Sequence, residues 1–366
     1  MTTAVHPFVP FSPPDIGGAE ITEVIATLES GWLSTGPRVR RFEQAFAEYT
    51  GAAHAVALNS CTAGLHLSLL AAGVGPGDEV ITTPLTFCAT ANAIVHTGAR
   101  PVFVDIRPDT LNLDPERLGA AITAKTKAIM PVDLFGLPAD VDAVKAVADA
   151  HGVPVVEDAC QAWGASYKSR RAGSLGDLGV FSFFPTKNLG GFGDGGLVTG
   201  HDAELVQTVR ELRFHGSRDK KTFTAIGFNS RLDEVQAAIL RVELEVVDTW
   251  NARRAQVAAW YDAHLPREVL RPCVPEGYTH VYHLYMMRHP RRDAIAAACK
   301  ERQVDCAAYY VTPCHLQPVF AGMGHKLGDF PATDAAAAQN LALPMHPNLT
   351  EEQVKEVAAA VAAGLG

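Results

Sequence analysis

The chain has 366 residues, 48% of them hydrophobic and 19% charged, with a formal net charge of −9. A net negative molecule offers no field to hold a polyphosphate backbone or an anionic bilayer, so nucleic-acid and membrane-surface functions are excluded first. A single core stops growing near roughly 250–300 residues, so the length implies one large domain and a smaller one.

In chain order, short apolar runs at 55–58, 79–82, 101–104, 127–131, 154–156, 180–183 and 196–199 predict strands. Helical stretches such as 62–72, 139–151 and 203–213 separate them. Apolar strands flanked by helices imply an α/β fold, a mostly parallel sheet covered on both faces. A long helical segment follows at 233–261, with Val235, Ala238, Ile239, Val242 and Val246 at three- and four-residue steps. Pro266, Pro272, Pro275 and Gly277 then mark a linker. The remainder predicts a small α+β domain: a strand at 280–288, a helix at 291–303, a proline-rich loop and two terminal helices. The expected boundaries are an N-terminal segment 1–32 packing near the small domain, a large domain 33–250 and a small domain 251–366.

The seven cysteines (Cys61, Cys88, Cys160, Cys273, Cys299, Cys306 and Cys314) are odd in number and show no C-x-x-C spacing. Neither a disulfide framework nor a zinc site is therefore expected. The proline-rich residues 1–14 do not have the pattern of a secretory leader, and no run of about 18 apolar residues occurs. The expected location is cytoplasmic, where free thiols persist.

Ligands of such sheets sit beyond the carboxyl ends of the strands. Asp158 follows the run 153–156, where a carboxylate needs a cation or several donors; an ordinary helix N-cap is the competing reading. Lys187 emerges from Val180, Phe181, Phe183 and Phe184, and confinement lowers a lysine's pKa as a Schiff-base lysine requires. A surface lysine in a polar loop is the alternative. Ser60-Cys61-Thr62-Ala63-Gly64, between strand and helix, offers backbone N–H groups to a phosphate, or simply caps the helix. Gly191-Phe-Gly193-Asp-Gly195-Gly196 contains G-x-G-x-x-G, but a strand follows it, so a turn passing close to a bound ring fits better than a nicotinamide site. His280 and His283 fall on opposite faces of the predicted strand, His315 and His346 lack near partners, and no metal site is expected. An acid, a confined lysine and a phosphate nest together describe pyridoxal 5'-phosphate (PLP).

At these residues the chain resembles the DegT/DnrJ/EryC1/StrS family of sugar aminotransferases. The motifs run in order: Leu28-Glu-Ser-Gly-Trp-Leu-Ser-Thr-Gly-Pro37, Gly77-Asp-Glu-Val-Ile81, Thr86-Phe87, Ala89-Thr-Ala-Asn92 and Glu157-Asp158-Ala-Cys-Gln161-Ala. Phe181-Ser182-Phe-Phe-Pro-Thr-Lys187-Asn-Leu, Gly227-Phe-Asn229-Ser-Arg, His315-Leu-Gln-Pro318 and Leu343-Pro-Met-His-Pro347 complete them. The resemblance implies the PLP-dependent transferase architecture of fold type I and a homodimer. Lys187 would form the internal aldimine and move the proton, with the pyridoxamine form (PMP) as intermediate. Asp158 would hold the ring nitrogen protonated, Gln161 would contact the ring or its 3-hydroxyl, and Phe87 would stack on it. Thr62, Ala63 and Ser182 would hold the phosphate, joined by Asn229 of the partner subunit. Trp32, Thr35, Arg231 and His315 would face the substrates, L-glutamate and a nucleotide-linked keto-sugar, with a 3-ketone favoured over a 4-ketone. Cys61, Gly64 and Cys160 depart from the family's common residues but remain small. Family dehydratases carry His where this chain has Lys187, which favours transamination. The remaining alternatives are amination of a keto-cyclitol and a non-catalytic PLP-binding regulator.

Overall fold

A computed structural model describes residues 7–366; residues 1–6 of the expected N-terminal segment lie outside the described residues. The large-domain strands are β1 (His54–Leu58), β2 (Glu79–Thr82), β3 (Arg100–Phe103), β4 (Thr126–Ile129), β5 (Val156–Asp158), β8 (Leu178–Ser182) and β9 (Gly196–Gly200). Two ladders, β3-β2-β4 and β5-β8-β9-β1, are joined into one sheet by the bridges Ile129 to Val155 and Val132 to Asp158. Every pairing is parallel except those of β9, which runs antiparallel between β1 and β8. The fold is therefore α/β with a mixed, mostly parallel sheet, as its apolar runs predict.

The helices that precede the C-terminal layer are α1 (Gly18–Glu29), in the expected N-terminal segment, α2 (Pro37–Thr50), α3 (Cys61–Ala71), α4 (Ala89–His96), α5 (Leu118–Ala121), α6 (Val141–His151), α7 (Ala203–Leu212) and α8 (Glu234–Leu244). Their starts carry chemical signals. Ser60 caps α3, Asp140 caps α6, and Asp202 caps α7 by accepting from the N–H groups of Glu204 and Leu205. A buried carboxylate, Glu43 on α2, accepts from Ala57 N–H (2.9 Å), Arg210 Nη1 (2.8 Å) and Arg213 Nη1 (2.7 Å), tying α2, β1 and α7 together.

The helical segment predicted at 233–261 is two helices, α8 and α9 (Val247–His264), broken at Glu245 and Val246. The apolar period continues through the break, but the packing partners change. α8 lies against α1 and α2, whereas α9 packs on α12 (Glu351–Leu365) of the C-terminal layer. That layer also holds β11 (Tyr285–Arg288) paired antiparallel with β12 (Asn340–Leu343), α10 (Arg292–Glu301) and α11 (Pro331–Gln339). A small ribbon is formed by β6 (Ser166–Tyr167), β7 (Arg170–Arg171) and β10 (Tyr278–Thr279).

The strand predicted at 280–288 is shorter than its pattern. Tyr282 has φ 47, a left-handed value that interrupts an extended chain. The residues before β11 instead bond the large domain, Val281 N–H to the Gly136 carbonyl (3.0 Å) and Leu284 N–H to the Phe135 carbonyl (3.2 Å). At the other end of the chain, Val9 pairs with Val304, and Met345 N–H donates to the Phe11 carbonyl at 3.0 Å.

Glu234 is fully buried and accepts from the N–H groups of Val39 (2.8 Å) and Arg38 (2.9 Å), two of the first donors of α2. Glu234→Ala strands both donors away from water. It is expected to lower unfolding free energy by about 2 kcal/mol in chemical denaturation, with Glu234→Gln retaining part of that.

Candidate active site

The carboxyl ends of β5 and β8 are neighbours, with Asp158 in register with Val180. Asp158 is buried. Its Oδ2 accepts from Thr90 Oγ1 at 2.8 Å, and its Oδ1 from Cys160 N–H at 3.3 Å. Thr90 is itself bonded to Thr86 Oγ1 at 2.8 Å. Burial raises the Asp158 pKa, while the bonds from Thr90 and Cys160 and the charge of Lys187 draw it back down. An acid held in this way is completed by a cation placed against it.

Lys187 supplies one nearby charge. Burial lowers its pKa to about 8, opposed only by Asp158, so the neutral amine is within reach at neutral pH. Its Nζ stands 3.4 Å from Nε2 of His283, and burial holds that imidazole well below its usual pKa. His283 Nδ1 is buried without a hydrogen-bond partner. The local break at Tyr282 and the bonds to residues 135 and 136 deliver His283 to this position. Behind Asp158 lie two further buried acids. Glu157 accepts from Gly173 (2.6 Å), Leu175 (3.0 Å) and Gly176 (3.2 Å) N–H groups. Burial, with the charge of Glu157, raises the pKa of Asp133 well above its ordinary value, and burial raises that of Glu157.

The start of α3 reaches the same place. Ser60 Oγ accepts from Ala63 N–H (3.1 Å), leaving the N–H groups of Cys61 and Thr62, first in the helix, without intrahelical acceptors. Gly64 and Gly196 permit this approach. A Cβ on Gly64 would sit 2.7 Å from Val180 Cγ1, and one on Gly196 would sit 2.4 Å from the Ser60 carbonyl carbon. The glycine run 191–196 thus leads into β9, with no helix to hold a dinucleotide. Ser182, at the end of β8, accepts from Phe184 N–H at 3.3 Å.

Gln161 is fixed at both ends, its Oε1 by Phe135 N–H (2.8 Å) and its Nε2 on the Tyr310 hydroxyl (2.9 Å). Phe135 and Tyr310 stack at 6.0 Å, and both have φ 59. Two non-glycine residues in left-handed conformation at one site mark strain held by the surrounding packing. Thr90, His283 and Tyr310 had no individual role in the sequence reading. Only the four-residue step from Thr86 to Thr90, one helical turn, was there to point at the first.

The other expected residues are more dispersed. Phe87 is 62% exposed at the entrance to α4. Trp32 Nε1 donates to the Thr35 carbonyl (3.2 Å), and Thr35 Oγ1 to the Leu232 carbonyl (3.4 Å). Arg231 lies over the Phe214 ring at 5.0 Å, and Asn229 is exposed two residues before it. His315 is not brought to the cluster: it is buried against Phe330 (4.7 Å between centroids) and faces Asp334 Oδ1 at 3.2 Å. A cavity of about 290 Å³ is lined by Lys187, Asn188, Pro13, Asp15, Trp250 and Arg254. Its lining excludes Asp158 and Thr62, so it adjoins the cluster.

The cysteines differ from expectation. Cys61 and Cys160 are joined by a disulfide across 99 residues of sequence. Spacing could not reveal it, because the pair is made by α3 docking on the turn after β5. Cys61, Cys160 and Asp158 are also the one group of three potential metal donors found among the described residues, and with its sulfurs joined it presents no thiolate.

A buried carboxyl seeking a cation, a lysine near neutrality and a helix start with free N–H groups beside hydroxyls match the ring nitrogen, aldehyde and phosphate of PLP. The profile of the DegT/DnrJ/EryC1/StrS aminotransferase family matches residues 14–362. The chain belongs to this family. It is 46% identical over 94% of both chains to the "Pleiotropic regulatory protein" of Geobacillus stearothermophilus. It is 44% identical to the dTDP-3-amino-3,4,6-trideoxy-alpha-D-glucose transaminase of Streptomyces venezuelae, over 94% of this chain and 91% of that one. The Acidithiobacillus ferrooxidans UDP-N-acetyl-3-dehydro-alpha-D-glucosamine 3-aminotransferase is 42% identical, over 93% and 92%. Among solved structures, S. venezuelae DesV with a ketimine intermediate superposes with a TM-score of 0.93 at 42% identity, covering 97% of this chain and 98% of that one. The "Putative sugar aminotransferase Spr1654" of Streptococcus pneumoniae, 30% identical with a TM-score of 0.92 over 98% of this chain and 99% of that one, has been solved in its PLP form. This DegT-family chain is an aminotransferase whose cofactor is PLP. Among the described residues no helix is long and apolar enough to cross a membrane.

The pKa of about 8 at Lys187, against an ordinary 10.5, has a direct consequence. Acylation of Lys187 in apoprotein by a limiting amine reagent, followed by peptide mass spectrometry, should rise about tenfold per pH unit and level off just above pH 8. A rise continuing to pH 10 would show an unperturbed lysine.

Proposed function

We propose that the chain transfers an amino group from L-glutamate to the keto-sugar of a nucleotide-diphosphate sugar. The observation that carries this reading is Lys187, half-buried with a pKa lowered to about 8, in the turn that follows β8, the strand beside that of the buried acid Asp158. PLP when bound supplies the electron sink for the carbon that exchanges its proton. The chain's residues do the rest. Lys187 Nζ takes the proton from one carbon and returns it to another, in both half-reactions, which its pKa near 8 permits around neutral pH. Asp158 pairs with a protonated ring nitrogen, the cation its buried carboxyl lacks, and Thr90 and Cys160 keep it aimed. Thr62 and Ala63, Ser182 and Asn229 of the partner subunit hold the phosphate, so the active unit is a homodimer. Phe87 covers the ring, and Gln161 orients it.

The relatives named above support a 3-ketone as the acceptor, since both transaminases carry the amine at position 3 in their names. A molecule of net charge −9 repels an anionic sugar nucleotide at long range, so the entrance must be locally positive. Arg231 and Lys220, both over the Phe214 ring, supply that charge together with Lys221. Trp32 and Thr35 border the same approach.

Lys187→Ala should retain PLP through the phosphate contacts yet lose turnover; amine transfer at the normal rate would refute its role. Asp158→Ala should lower kcat at least about a hundredfold, the scale of one strong electrostatic contact. Mass spectrometry of nitrogen-labelled glutamate with nucleotide-linked 3- and 4-keto sugars and a free keto-cyclitol should find label in the 3-amino sugar product. Label entering a free keto-cyclitol instead would overturn the substrate assignment.

A further inference from the structure

The Cys61–Cys160 bond joins the two halves of the cofactor cup. Cys61 is the first residue of α3, and Cys160 is two residues beyond Asp158, with its N–H on that carboxylate at 3.3 Å. Their Cα atoms stand 6.8 Å apart, and both residues are half-buried, so small thiols and disulfides have access. The covalent link therefore fastens the helix start assigned to phosphate to the turn that aims the acid assigned to the ring nitrogen. Cys160 Sγ also lies 3.5 Å from the Val180 carbonyl, an acceptor for its thiol once the bond is cut. Each redox state of the pair thus has a partner in place. Cys88 and Cys314, with sulfurs 4.0 Å apart, are free.

We propose that Cys61 and Cys160 are a reversible dithiol–disulfide site that governs cofactor retention, the disulfide form binding PLP more tightly. The proposal rests on the phosphate and ring contacts given under the proposed function. The reaction partner is a low-molecular-weight disulfide such as glutathione disulfide. One cysteine thiolate attacks it, forming a mixed disulfide and releasing one glutathione thiol. The second cysteine then displaces the other glutathione. Two electrons and two protons pass from the cysteine pair to the glutathione, which leaves as two thiols. The bond holds both sets of cofactor donors together before the cofactor arrives, so less ordering remains to be done on binding. Linkage makes the effect mutual: PLP must favour the disulfide by the same factor by which the disulfide favours PLP.

The test equilibrates the full-length protein in glutathione buffers of graded oxidised-to-reduced ratio. Acid quenching, thiol alkylation and peptide mass spectrometry then read the linkage. The PLP dissociation constant is read in parallel by fluorescence after ultrafiltration. The disulfide form should bind PLP on the order of tenfold more tightly, and saturating PLP should move the midpoint toward the disulfide by an equal factor. Cys160→Ser and Cys61→Ser should each abolish the glutathione dependence, while Cys88→Ser keeps it. Equal or weaker PLP binding by the disulfide form would overturn the proposal. So would recovery of Cys61 and Cys160 as free thiols at every glutathione ratio. No sugar enters either measurement, so failure of the substrate assignment leaves this result standing.

Discussion

The site depends on how closely α3 can approach the sheet. Gly64 on the helix and Gly196 on β9 leave no room for a side chain between the helix start, Val180 and Ser60. Without that contact the free N–H groups of the helix start would stand a side chain's width from the ends of β5 and β8. An anion site at a helix terminus acts over the first turn only, so such a gap would separate it from Asp158 and Lys187. Two missing methyl groups thus set the distance between the parts of the cofactor cup.

The acids around β5 divide the electrostatic work. Glu157 turns toward the turn 173–176 and is satisfied by three N–H groups there, while Asp133 accepts from Ala139 N–H at 2.8 Å and burial raises its pKa. Asp158 accepts from one hydroxyl and one N–H and keeps acceptor capacity to spare. A buried group with spare acceptor capacity is the natural place for a ligand cation. The lysine in the turn after the neighbouring strand feels the same burial in the opposite sense, since burial penalises its charged form. One apolar setting therefore prepares both groups for the reaction.

Much of this was legible in the sequence because it is local. The apolar runs located the large-domain strands to within a few residues, and strand ends pointed to Asp158 and Lys187. The small-residue stretch after β1 marked a helix start. Features that depend on contacts between distant segments were not legible. The bond from Cys61 to Cys160 has no spacing signature, and the break between α8 and α9 follows a change of packing partner that helical periodicity cannot register. His283 lay in an apparently regular strand pattern, and only the left-handed Tyr282 and the bonds to Gly136 and Phe135 carry it to Lys187. His315 sits in a family motif, yet its ring is packed among Phe330 and Asp334.

The antiparallel strand β9 also orders events in time. β1 leaves the ribosome early, but its hydrogen-bonding partner begins only at Gly196, and the first pair to form across the two joins His54 with Gly200 or Leu58 with Gly196. Until then β1 keeps an unpaired edge and α3 has no complete surface to dock on. Long-range pairings of this kind close late because the loop entropy must be lost before any contact rewards it. The acid on β5 and the lysine after β8 are brought together by the direct pairing of those two strands, whereas the helix start joins them only through β9, so the complete set of cofactor contacts depends on the last strand of the sheet.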